Sequence, residues 1–134
     1  MENLICLDSS VLIEFFRKKK SEKSFFVKIT EFGFSGFYIP VTVEFEIYFG
    51  ATVQQINFWD NLFDDFIIVP YTRAVNKIAI DLARTLKRGN VLIDYKDLTI
   101  AATALKVRSP LATINAKHFK HIKGLSVISP DTIT

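Results

Sequence analysis

At 134 residues the chain can bury one substantial core, and a hydrophobic content of 49 % with thirteen Phe excludes an intrinsically disordered protein. Its net charge of +3 permits a polyanionic partner without selecting one. The lone Cys6 excludes an internal disulfide, the first apolar stretch is too broken by Asp8 and Glu14 for a secretory leader, and no apolar run approaches the ~20 residues of a membrane span, so a cytoplasmic protein is expected.

Leu4 to Leu7 is a short continuous apolar run, the pattern of a strand buried on both faces. It ends at Asp8-Ser9-Ser10, residues suited to a helix start, and Val11, Leu12, Phe15 and Phe16 then follow at helical spacing. Ser21 to Glu31 reads as a second helix, and Phe37 to Ile39 as a second strand stopped by Pro40. Helices are predicted over Thr42 to Gly50 and Thr52 to Phe66, with Ile67 to Val69 as a third strand. Thr72 to Arg88 carries the clearest apolar stripe, through Val75, Ile78, Leu82 and Leu86, and Gly89 ends it. After the 90–93 loop and Asp94 to Asp97 comes an Ala-rich helix, Leu98 to Val107, then strands at Leu111 to Ile114 and Leu125 to Ile128. Alternating helices and short apolar strands predict an α/β domain over residues 1–134. Its central sheet of about five short strands would be mostly parallel, with helices on both faces.

In such sheets ligands gather beyond the carboxyl ends of the strands. Asp8 follows the first strand and Asn115 the fourth, so both are expected on that rim. Asp97 stands at a helix start, and Glu46 lies about one turn into the helix that follows the second strand. Converging carboxylates would repel and raise at least one pKa unless a divalent cation joined them. Oxygen ligands of this kind suit Mg²⁺ or Mn²⁺, which can activate water and stabilise charge on a phosphodiester. Taken singly, each residue has a plainer role: Asp8 as a helix cap, Asp94 with Asp97 as a capping box, Glu46 or its competitor Glu44 as a solvated helix residue, and Asn115 as a turn residue.

Taken together, these segments resemble the PIN-domain family, and within it the VapC-type toxins of toxin–antitoxin pairs. Leu7-Asp8-Ser9-Ser10-Val11-Leu12-Ile13 resembles the opening strand, first catalytic Asp and helix of that family. Glu46-Ile47-Tyr48-Phe49-Gly50 resembles its Glu-Leu-x-x-Gly segment, and the spacing to Gly50 selects Glu46 over Glu44. Asp97-Leu98-Thr99-Ile100-Ala101-Ala102-Thr103-Ala104 is the most specific piece, and Thr113-Ile114-Asn115 with Phe119 and Gly124-Leu125 resembles the closing pattern.

The resemblance implies a metal-dependent endoribonuclease in which Asp8, Glu46 and Asp97 bind Mg²⁺ or Mn²⁺. Asn115 would take a fourth polar position where some relatives have Asp, so a second metal would bind more weakly. Ser9 or Ser10 would hydrogen-bond Asp8 or the phosphate, while Arg17, Lys96 and Lys117 would steer RNA. His118 and His121 are expected to be surface or packing residues, and capping is expected of Asp94. The resemblance further implies a small VapB-type antitoxin and a homodimer. Aromatic helices over 15–26 and 45–66 are candidate contact surfaces, although core is the expected place for most of their rings. Two rivals are a catalytically inactive PIN-fold binding module and a receiver-type signalling domain. The second lacks both paired acids after the first strand and an acceptor Asp beside Ile67 to Val69.

Overall fold

A computed structural model describes residues 3–133. Among these, five strands form one parallel sheet in the order β3-β2-β1-β4-β5. The strands are β1 (Leu4–Leu7), β2 (Gly36–Pro40), β3 (Ile67–Val69), β4 (Leu111–Ala112) and β5 (Val127–Ile128). Between them run α1 (Ser9–Arg17), α2 (Phe25–Glu31), α3 (Val41–Gly50), α4 (Val53–Phe63), α5 (Arg73–Arg88) and α6 (Tyr95–Lys106).

β1 is the central strand, pairing Cys6 with Tyr38 on one side and with Leu111 on the other. Ile5, Cys6 and Leu7 alternate between the two faces of the sheet, and all three are fully buried. Both faces are therefore covered, which is why this strand reads as an unbroken apolar run. Burial also holds the Cys6 thiol well above its usual pKa, an inert state, with the nearby Asp8 carboxylate adding to the shift.

α6 packs against β2, α3 and α5. Its Ala101, Ala102 and Ala104 are fully buried, and small side chains let a helix axis approach its neighbours closely. This draws the start of α6, with Asp97 in its first turn, over the same edge as the end of β1.

Several boundaries differ from the sequence reading, the end of α4 at Phe63 and the start of β5 at Val127 among them, and four others bear on the site and its supports. The Ser24 side chain accepts from Val27 N at 3.3 Å, so the second helix begins at Phe25 and residues 21–23 form only a 3-10 turn. α6 begins at Tyr95, three residues early, which places Asp97 inside the helix. β4 stops at Ala112 because Ile114 N donates to the Ser10 hydroxyl (3.1 Å) instead of to a neighbouring strand. α5 is closed by Asn90, whose φ of 57° is left-handed, while Gly89 keeps a negative φ.

Most of the aromatic side chains are core, as the sequence reading expected. Phe26 stacks edge-on with Phe15 and Phe66, and Phe16 with Phe58, while Trp59 and Phe63 are buried, tying α1, α2 and α4 together. Phe32, Phe58 and Tyr95 are exposed, as are Phe45 and Phe49, at 68 % and 82 %. No helix among the described residues is long and apolar enough to cross a membrane.

Ile5 tests the dependence on the central strand. Ile5→Ala leaves a cavity between sheet and helices, and the expected loss is about 2–5 kcal/mol in urea unfolding.

Candidate active site

The strand order has one reversal. From β1 the chain steps to β2 and β3 on one side, then returns through α5 and α6 to β4 and β5 on the other. The crevice at the carboxyl ends of β1 and β4 is thus the topological switch point, where a parallel sheet leaves room for a ligand. Asp8 closes β1 there, its backbone N–H held by Ala112 of β4 at 3.0 Å. The cleft above it, about 540 Å³, is lined by five carboxylates: Asp8, Glu14, Glu46, Asp94 and Asp97. Asn115 and His118 also line it.

Asp8 is buried and stands at the amino cap of α1, yet its side chain makes no cap bond. Instead the hydroxyls of Ser10 (2.8 Å) and Thr113 (2.7 Å) both donate to Oδ2. Each hydroxyl is itself oriented by a backbone donor, Ile114 N on Ser10 (3.1 Å) and Asn115 N on Thr113 (3.0 Å). A hydroxyl has one proton, and the incoming N–H groups direct both protons to the carboxylate. Oδ1 takes no hydrogen bond from the described residues. The capping alternative for Asp8 therefore fails, and of the two serines it is Ser10 that holds the carboxylate.

Glu46 comes from α3. Its Oε2 lies 3.4 Å from the Lys96 ammonium, while Oε1 is buried with no partner. A buried charged oxygen without a donor costs several kcal/mol unless something else satisfies it, on the order of 1–3 even for a neutral group. Asp97, buried in the first turn of α6, has Oδ2 3.2 Å from His118 Nδ1. His118 is exposed, within the surface-or-packing role expected of it, but it also contacts Asp97 at the cleft, and its place in a 3-10 turn gave no signal of that contact. Asp94 occupies the cap position of α6 but makes no side-chain cap bond, so its carboxylate is a member of the cleft and not the cap expected of it. Asn115 is exposed at the cleft, its side chain unbonded to the described residues. Glu14 is committed elsewhere, accepting from Phe25 N at 2.7 Å and pairing with Lys18.

The electrostatics follow from this crowding. Asp97 is held above the usual aspartate pKa, first by burial and then by the Asp8 charge, with His118 and Lys96 opposing. Lys96 loses some proton affinity to desolvation, but Glu46, Asp8 and Asp97 more than offset it and hold the ammonium above its usual range. Lys96 is therefore within electrostatic reach of all three acids. Among the described residues no three His, Cys, Asp or Glu side chains close into a finished ligand cluster. The acids share a cleft, with Lys96 set against Glu46 and His118 against Asp97.

The fold, the switch-point carboxylates and the Asp97-to-Ala104 helix define a class. The PIN-domain family model matches residues 5–125, and the chain belongs to that family. It is 35 % identical to Ribonuclease VapC1 of Methanocaldococcus jannaschii, over 94 % of this chain and 88 % of that protein. Among solved structures it resembles DNA-bound VapBC from Salmonella typhimurium, with a TM-score of 0.83 and 16 % identity over 96 % of this chain and 98 % of the other. VapBC2 from Rickettsia felis, bound to a promoter DNA fragment, matches with a TM-score of 0.80 and 18 % identity over 94 % and 98 %.

Two outcomes test the site as described. Thr113→Val deletes a bond to a buried carboxylate and is expected to cost about 1.5–3 kcal/mol at pH 7, with Thr113→Ser recovering most of it in the same urea titration. For Asp97 the sign runs the other way. A raised pKa means the folded state binds the proton more tightly than the unfolded state, so wild-type stability falls as pH rises through that window. Asp97→Asn, without the charge, is expected to be the more stable protein at pH 7 in the presence of a chelator, and the advantage should vanish below the usual aspartate pKa.

Proposed function

We propose that the protein is a metal-dependent endoribonuclease, the toxin of a toxin–antitoxin pair, with Asp8, Glu46 and Asp97 as its acidic core. The observation that carries the reading is the unpartnered, buried Oε1 of Glu46 in a cleft shared with Asp8 and Asp97. A cation, or a water bound to one, would satisfy that oxygen, and Asp8, Asp97 and Asn115 bring further hard oxygens to the same cleft. Such a set fits Mg²⁺ or Mn²⁺. Mg²⁺ keeps several of its waters, so some of these carboxylates would reach it through water. The similarity to Ribonuclease VapC1 supports an RNA substrate.

Asp8, Glu46 and Asp97 would hold the ion, with Asn115 as a weaker fourth polar group. When bound, the ion supplies Lewis-acid polarisation of the phosphodiester and a more acidic water. Ser10 and Thr113 fix the rotamer of Asp8, so its free oxygen is presented without a conformational search. Lys96 and His118 offset part of the negative charge that would otherwise repel a phosphate from five carboxylates. Arg17 at the cleft edge, with Lys96 and Lys117, would attract the RNA backbone. A small antitoxin of VapB type is proposed with it, supported by the VapBC complexes that share the fold, and a homodimer and a cytoplasmic location complete the reading.

The test is cleavage of a total RNA pool with Mg²⁺ or Mn²⁺ and with chelator, followed by mapping of the cut ends. Metal-dependent cuts bearing 5′-phosphates are expected, falling to background in Asp8→Ala, Glu46→Gln and Asp97→Ala. Persistence of cleavage in the Glu46 and Asp97 variants would remove the acidic-core assignment; absence of cleavage under either metal would favour a non-catalytic binding module.

A further inference from the structure

Beside the acidic cleft lies a second cavity of about 560 Å³, between α1 and the α3–α4 corner. Ile13, Arg17 and Glu46 line both, so the two are adjoining parts of one groove. Whatever sits in the second is next to whatever sits over the carboxylates. Its floor is apolar, with Phe16 and the buried Trp59, and its edge carries Phe49. Phe49 is 82 % exposed, and its ring stacks on Phe45 at 5.5 Å and 19°, a nearly parallel pair held ready on the helix that bears Glu46.

The polar groups of this cavity are few and fixed. Gln55 Oε1 accepts from Thr52 N at 3.0 Å, which orients the amide and leaves its NH₂ to donate to a ligand. Arg17 forms no ion pair among the described residues. Gly50 lines the cavity, and a Cβ built there would meet no atom within 4 Å.

We propose that this cavity is a nucleobase subsite, taking one unpaired base of the RNA immediately beside the scissile phosphate. An aromatic face, an apolar floor, one oriented amide donor and a guanidinium for the adjoining phosphate are the complement of a nucleotide. A base must be unstacked from its strand to enter, so the substrate is single-stranded at the cut. The inference rests on the nuclease reading for its orientation along the strand, but its binding test does not need catalysis.

Trp59 is the only tryptophan of the chain and lies on the cavity floor, so its fluorescence reports occupancy. Five-nucleotide unstructured oligoribonucleotides, titrated onto full-length protein carrying Asp8→Asn, are expected to change the Trp59 emission saturably. Replacing one nucleotide by an abasic residue at each position in turn should weaken binding about 5- to 150-fold at a single position. Phe49→Ala should weaken the intact oligonucleotide similarly but leave the affected abasic one unchanged. Gly50→Leu, whose added side chain has room to fill the cavity, should abolish the emission change. A flat abasic scan, or undiminished binding by Phe49→Ala and Gly50→Leu, would overturn the subsite. So would occupancy of the Trp59 cavity by an amphipathic peptide but by no oligonucleotide. Position-dependent binding without cleavage by the wild type would remove the nuclease reading alone, and cleavage with a flat scan would remove the subsite alone.

Discussion

Negative charge crowded at the edge of a parallel sheet is the constraint around which this molecule is organised. Asp8 and Asp97 are both buried and raise each other's energy, and Glu46 adds a third charge with one oxygen left bare. The surrounding groups answer that charge one by one. Ser10 and Thr113 donate to Asp8, Lys96 sits against Glu46, and His118 sits against Asp97. These contacts offset the repulsion without cancelling it, and the negative charge that remains would favour a bound cation; in the proposed nuclease that cation, and not the carboxylates, would attract the phosphate. A site that stores such repulsion is expected to be less stable than its neutralised variants, the familiar tension between a charged centre and a stable fold.

The sheet was legible in the sequence because its strands are buried on both faces and read as unbroken apolar runs. Its strand order was not, since nothing local distinguishes β4 from β2 as a neighbour of β1. The acids were legible only as a set. Each alone has a capping or surface role, and the Asp8 and Asp94 caps proved absent because their carboxylates face the cleft. The Thr113 contact, between residues 105 apart in the chain, leaves no trace in spacing. The contact of exposed His118 with Asp97 was invisible for the same reason: the two lie on different elements. Helix starts moved where a side chain outcompeted the apolar period, as Ser24 does for α2.

The two sides of the groove differ in character. Towards α1 and α4 it is apolar, with an aromatic edge. On the other side, past Asp97 and His118, Lys117, Lys120 and His121 stand among the aliphatic Val91, Leu92 and Ile122. Aromatic rings are thus gathered on the first side and lysines on the second. This asymmetry arises from the topology: α1 and α3 flank the first half of the sheet, while the 116–122 segment follows β4 in the second.

Because β4 is laid down beside β1 only after α5 and α6, the chain emerges from the ribosome with Asp8 in place but Thr113 still unmade. Glu46 and Asp97 are likewise separated by more than a third of the chain's synthesis. A nascent chain therefore cannot assemble the acidic centre until its last quarter has been translated and that long loop has closed. Local helix formation starts early, but competence arrives late, and the interval between them is a delay built into the order of the strands.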